Sequence, residues 1–277
     1  MPITRRTLLQ TAALAPLAGA LAQSRKIPIG LELFSVRKSL QEDLMGTVRK
    51  VAALGYEDVE FFSPYYNWTP EQAKDVRKLM DDVGIKCLST HNSFANYKPE
   101  NIQKAIDYNK ILGSGILVIA STGRASTLDD WKKITDTLAE GHGRLRAAGL
   151  RGGYHNHQAE FTPVEGKRPI EVIAAGTPKD FVMQFDVGTC VEMGSDPVAW
   201  INQNPGRIRS LHLKDWDKEK GYRVLYGEGA VPWKSVLAAA EKTGGVEFML
   251  IEQEGSEFSE METAQRCLAT YRKGVYK

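Results

Sequence analysis

The chain has 277 residues, with 36 Lys+Arg against 34 Asp+Glu, 42% hydrophobic residues, 5 histidines and 3 cysteines. Near-balanced charge leaves no basic surplus to hold a phosphate backbone, which argues against a nucleic-acid partner. Cys87, Cys190 and Cys267 are widely spaced and lack CxxC or CxxH pairing, so neither a disulfide framework nor a thiolate zinc site is expected.

The N-terminal stretch MPITRRTLLQTAALAPLAGALAQS carries Arg5 and Arg6 as its only charges, then an uncharged run from Thr7 to Ala22 ending in Ala20-Leu21-Ala22. That is the pattern of a cleavable signal peptide. Thr4-Arg5-Arg6-Thr7-Leu8-Leu9 also resembles a twin-arginine export signal, with an ordinary secretory signal as the alternative. The run is too short and too rich in Ala and Gly for a membrane span, which needs about 20 apolar residues. The expectation is therefore a signal peptide over 1–22 and one catalytic domain over 23–277, exported to the periplasm or secreted, with no stable membrane anchor after cleavage. Removing Arg5 and Arg6 leaves 34 basic against 34 acidic residues.

Short apolar runs then alternate with longer amphipathic ones. The predicted strands are IPIGLELF (27–34), EDVEFF (57–62), KCLSTH (86–91), GILVIA (115–120), RGGYHNH (151–157), FVMQFD (181–186), IRSLHLK (208–214) and EFMLIE (247–252). Predicted helices cover 43–54, 70–83, 99–112, 127–148, 169–175, 196–203, 232–243 and 259–272, several of them ending at glycine, as at Gly55, Gly84, Gly113 and Gly149. Eight strand–helix pairs in about 250 residues predict a single (β/α)8 TIM barrel. A doubly wound open sheet usually uses fewer strands, and no GxGxxG follows the first strand.

A barrel places its chemistry at the C-terminal ends of the strands. The polar residues there are Glu60, His91, His155 with His157, Asp186, His212 and Glu252, the types used as metal ligands and acid–base groups. Only His142, in a long helix, is left out among the histidines. In GGYHNHQAEF (152–161), strand alternation turns His155 and His157 to one face, towards the barrel mouth, with Asn156 outward. Glu160 reads as a loop carboxylate. A mixed set of imidazoles and carboxylates suits Mn, Zn, Co or Fe(II) better than Mg or Ca, which prefer oxygen shells. Such an ion on adjacent carbonyl and hydroxyl oxygens stabilises an enediolate while Glu252 or His157 removes the α-proton. Each candidate has a structural alternative: His212 as a core histidine, Asp186 as a turn opener, Glu252 as a surface carboxylate. Glu60 and His91 are expected as pocket residues or as partners that orient a ligand.

The order of GLELFSVR (30–37), LGYEDVEFF (54–62), GYHNHQAEF (153–161), FDVGTC (185–190), SDPVAW (195–200), RIRSLHLKD (207–215), YGEGAVPW (226–233) and IEQE (251–254) resembles the xylose-isomerase-like sugar phosphate isomerase/epimerase barrels. The resemblance implies one divalent metal held from strands five to eight, which here gives His155, Asp186, His212 and Glu252. It also implies two opposed glutamates on strands five and eight; His155 stands where the first is usual, so only Glu252 keeps that role. The loop DWDKEKGYRVLYGEG (215–229) is expected to form a lid or substrate wall, or else a homodimer contact. Lys214, Glu228 and Trp216 are candidate substrate contacts; Trp68, Phe94 and Trp233 are candidate stacking platforms or plain packing. The expected activity is isomerisation or epimerisation of a sugar or keto-sugar, with a lyase or hydratase of 3-keto-glycosides as the alternative. A non-catalytic metal- and sugar-binding barrel is the reading from another class.

Overall fold

A computed structural model describes residues 26–274; the expected signal peptide lies outside the described residues. The strands are β1 (Ile29–Glu32), β2 (Asp58–Glu60), β3 (Ser89–Ser93), β4 (Ile116–Ser121), β5 (Arg151–His155), β6 (Val182–Asp186), β7 (Ser210–Leu213) and β8 (Phe248–Ile251). The helices are α1 (Arg37–Glu42), α2 (Leu44–Leu54), α3 (Pro70–Val83), α4 (Ile102–Leu112), α5 (Leu128–Ala147), α6 (Gln158–Phe161), α7 (Pro169–Gly176), α8 (Val187–Glu192), α9 (Pro197–Gln203), α10 (Trp233–Ala239) and α11 (Glu260–Lys273). All strand pairs are parallel, in the order β2-β1-β8-β7-β6-β5-β4-β3. The Asp58–Lys86 and Phe61–Thr90 bridges bring β2 against β3, so the ring closes as a (β/α)8 barrel.

Local chemistry sets the element ends. Thr69 accepts from Gln72 N while the Gln72 side chain accepts from Thr69 N, and Pro70 starts α3, whose buried stripe is Ala73, Val76, Leu79 and Met80. Gly84 ends that helix at φ 73°, a conformation that costs glycine nothing and other residues strain. The predicted strands were longer than the observed ones at β1, where a 3-10 turn takes over at Leu33–Val36, and the third strand begins later, at Ser89.

Alternation through the strands sorts every side chain. Leu31, Val59, Leu117, Ile119, Tyr154, Met183, Phe185, Leu211, Met249 and Ile251 face outward and pack in the large core shared with the helices. Ile116, Val118, Val182, Phe248 and Leu250 form a separate buried cluster that fills the barrel interior. Above this apolar plug, the inward positions turn polar. That switch from apolar to polar side chains, at the carboxyl end of the strands, is what creates the site.

Candidate active site

The inward register continues through Glu32, Glu60, His91, His155, Asp186, His212 and Glu252, all buried. Two steps further along the chain lie Phe34, Phe62, Ser93, His157, Lys214 and Glu254. A cavity of about 400 Å³ opens above, lined by Glu32, Phe34, Phe62, His91, Asn92, His155, His157, Glu252 and Glu254 among others.

His212 is the electrostatic pivot. Its Nδ1 lies 2.6 Å from Glu252 Oε2 and its Nε2 2.9 Å from Glu60 Oε2. Carboxylates only accept, so both nitrogens donate and the ring is an imidazolium. Burial opposes that charge, but the bonds to Glu252 and Glu60 prevail and raise its pKa to about 10. Glu60 also meets His91 Nε2 at 3.0 Å and accepts from Gln184 Nε2 at 2.9 Å and from Ser89 Oγ. Burial pushes the Glu60 carboxyl up, but His91 and His212 outweigh it and hold it below its usual range. Lys214, itself buried, lies 3.3 Å from Asp186 Oδ2 and 3.5 Å from Glu252 Oε1 and bonds Glu254. Burial acts to raise the Glu252 carboxyl, yet Lys214 and His212 drive it strongly down, and its neighbours in turn keep Lys214 charged.

His155 is the opposite case. Neither of its ring nitrogens has a hydrogen-bond partner, although the side chain is fully buried. Burial first, then the neighbouring His212, His91, His157 and Lys214, pushes its pKa well below the ordinary value, so the ring is neutral and keeps a lone pair. Asp186 Oδ1 caps α8 by accepting from Thr189 N at 2.8 Å, while Oδ2 accepts no hydrogen bond and lies 3.8 Å from His155 Nε2. Partnerless buried donors and acceptors are costly unless a further group satisfies them. Two groups of described residues could hold a metal ion: His155 with Asp186 and Glu252, and His91 with His155 and His212. The mixed nitrogen and oxygen donors and the two orphaned His155 nitrogens fit a divalent transition metal, with Asp186 Oδ2 held by the Lys214 charge at 3.3 Å. The four expected ligands are thus all present, but His212 is committed to two carboxylates, and His155 is the residue common to both groups.

The HNH stretch is only partly a strand. β5 ends at His155, and His157 is the N-cap of the short helix α6. Both imidazoles still meet the cavity, their centroids 4.8 Å apart. Asn156 is buried between β5 and β6, where Oδ1 accepts from Asp186 N at 3.1 Å and Nδ2 donates to Asp186 O at 3.2 Å. It therefore fixes the height of Asp186 rather than facing solvent. Glu160 is no idle loop carboxylate: it accepts from Tyr154 Oη at 2.6 Å and His157 N at 2.7 Å, anchoring the turn.

Other expected contacts fall elsewhere. Trp216 is half-buried and not part of the cavity lining, and Glu228 lines a separate depression with Lys220, Arg223 and Arg266. Trp233 is a packed core residue whose Nε1 donates to Asp215 Oδ2 at 2.8 Å. Asp215 also accepts from the backbone of Trp216, Gly227, Gly229 and Val231, which ties the 215–229 loop to the barrel. Close packing beneath the site depends on Gly188, where a Cβ would come 2.5 Å from Lys214 O.

Three site residues escaped the sequence reading: Glu32, Gln184 and Glu254. Glu32 Oε2 accepts from Phe34 N at 2.6 Å, while Oε1 is buried without a partner at the cavity wall. Burial, then the charges of Glu252 and Glu60, raises its pKa well above the usual carboxyl value. Its signal was the parity already applied to HNH, obscured because the apolar run continues past it to Phe34.

A closed (β/α)8 barrel with a buried histidine–carboxylate cluster at its carboxyl-end mouth has the layout of a barrel enzyme site. The chain belongs to the xylose isomerase-like TIM barrel family, which it matches over residues 48–272. Among curated relatives, it is 23% identical to an inosose dehydratase of Lacticaseibacillus casei, with 75% of this chain and 80% of the relative covered. Another inosose dehydratase, from Clostridium beijerinckii, is 24% identical over 75% of this chain and 80% of its own length. A crystal structure of a sugar phosphate isomerase/epimerase from Parabacteroides distasonis superposes with a TM-score of 0.75 at 25% identity, covering 92% of this chain and 97% of that one.

Proposed function

We propose that this chain is a metal-dependent lyase of the dehydratase type, which removes a proton α to the carbonyl of a keto-sugar or related ketonic polyol and expels a β-oxygen. The observation that carries this reading is the unlike pair of groups beside the metal-type cluster. Epimerisation asks for two similar acid–base groups on opposite faces of one carbon. Elimination asks for a base at one position and a proton donor at the next. The cavity pairs the His157 imidazole with Glu32, a carboxyl whose hold on its proton is strengthened by burial and by the charges of Glu252 and Glu60. Relatives named inosose dehydratase support the same branch over isomerisation or epimerisation.

His155, Asp186 and Glu252 are the residues that hold the metal in this reading, with His212 and His91 at its flank. The bound divalent ion supplies Lewis-acid stabilisation for negative charge developing on the carbonyl oxygen. The chain's own residues do the rest. Lys214 holds Glu252 anionic and, at Asp186, opposes the burial that raises that carboxyl above its usual value, and Glu60 with Gln184 holds the rings of His91 and His212. His157 takes the α-proton, and Glu32 Oε1 gives a proton to the departing hydroxyl. Export, with a substrate met outside the cytoplasm, remains part of the proposal on the strength of the N-terminal pattern alone.

The test is a screen of keto-sugars and ketonic polyols in D2O with metal-loaded protein, followed by NMR. A product short of one water, carrying solvent deuterium at the former β-carbon after the enol tautomerises to the ketone, is the expected outcome. Deuterium with an epimer or isomer as product supports the isomerase branch instead. Substrate binding with no exchange reduces the protein to a binding barrel.

A further inference from the structure

Beside the polar cavity lies a second, larger one of about 650 Å³, and the lyase reading does not use it. Phe62 lines both cavities. Its ring meets Phe34 edge to face at 5.5 Å, and the Arg37 guanidinium covers Phe34 at 4.4 Å, so these three side chains form the partition. Behind it the second cavity is walled by Phe61, Tyr65 and Trp68, with the Trp68 ring 5.2 Å from Phe61 and 6.1 Å from Tyr65, both edge on. The outer side is α1, through Leu40 and Gln41. The cavity therefore lies between the connections that follow β1 and β2, on the same end of the barrel as the metal-type cluster.

Phe34, at the junction, is 37% exposed and is the large hydrophobic side chain left open among the described residues. A single exposed apolar residue is ordinary; one placed on the partition between a polar site and an aromatic-walled cavity has a use. The polar cavity offers histidines and carboxylates, suited to hydroxyls and a carbonyl. The second offers ring edges and faces, which favour an aromatic group over an alkyl one.

We infer that the substrate is a sugar bearing an aromatic substituent, the sugar ring resting over His155 and Glu252 and the aromatic group passing Phe34 and Phe62 into the cavity walled by Phe61, Tyr65 and Trp68. This rests on the proposed function for the sugar half only; the aromatic half stands on the second cavity.

The test uses binding, so it does not depend on turnover. Matched phenyl and methyl β-glycosides of glucose, galactose and xylose, which lack a ketone, are titrated calorimetrically into the metal-loaded protein. The expected result is at least about tenfold tighter binding of the phenyl member for one or more sugars. Trp68→Ala removes the wall, and Gln41→Trp, at an exposed position of α1, fills the cavity without disturbing the core. Both are expected to erase the phenyl preference and leave the methyl glycoside unchanged. Equal affinities within every pair, absence of binding included, overturn the inference, as does a phenyl preference that survives both substitutions. A preserved phenyl preference in a protein that converts no keto-sugar refutes the lyase reading and leaves this one standing.

Discussion

Replacing His155 by leucine separates a ligand from a core residue, because its two effects have opposite signs. In the metal-free protein both ring nitrogens are buried without partners. An unsatisfied buried polar group costs on the order of 1–3 kcal/mol. Leucine is of similar size and removes both nitrogens. The metal-free variant should therefore gain about 1–3 kcal/mol, after some loss to imperfect packing, which is about 2–10 °C in Tm for a domain of this size. Metal binding should collapse, since His155 belongs to both groups able to hold an ion. The assay is paired: thermal unfolding after chelation, and metal content by mass spectrometry after reloading with Mn, Co, Zn or Fe(II). A metal-free variant less stable than wild type would refute the argument that these nitrogens are kept for a ligand. So would one that retains about one ion per chain.

The same logic reverses at His212. His212→Leu strands the buried Glu60 and Glu252 carboxylates without their shared donor, so the metal-free protein should lose about 3–5 kcal/mol in a denaturant titration. The pH dependence has a definite sign. Because folding raises the His212 pKa to about 10 from an ordinary 6.5, its contribution is complete below about pH 6.5 and fades as pH rises through 10. Chelated wild type should accordingly melt at falling temperatures across that window, and His212→Leu should flatten the profile. Gly188→Ala drives a methyl to 2.5 Å from Lys214 O, an overpacking cost of about 1–3 kcal/mol that also displaces Lys214 from Asp186. Finally, His157→Ala is expected to lower kcat by about 10²–10⁴-fold with metal content unchanged; a parallel loss of metal would move His157 into the ligand set.

What the sequence determined was the alternation of elements and the facing of side chains. Eight apolar runs, each followed by a 3.6-residue pattern, dictate a barrel, and period-two alternation in FVMQFD, SLHL and FMLIE turns Asp186, His212 and Glu252 inward. Those are local properties, readable one strand at a time. Which inward groups meet is a property of the closed ring. Glu32 on β1 joins the site because β1 pairs with β8 and β2, placing Glu32 beside Glu60 and near Glu252, residues far away in sequence. Glu60 reaches His212 across 152 positions, which no spacing rule discloses. The same holds for the misplaced expectations. Trp216 and Glu228 follow β7, where a substrate wall is expected, but Asp215 gathers the loop's backbone amides, and neither residue lines the polar cavity. The aromatic cavity behind Phe62 is likewise built by two connections and a helix, whose rings meet only when β1 and β2 lie side by side. Sequence periodicity sets the direction of a side chain; strand register and barrel closure set its neighbours, and a site is made of neighbours.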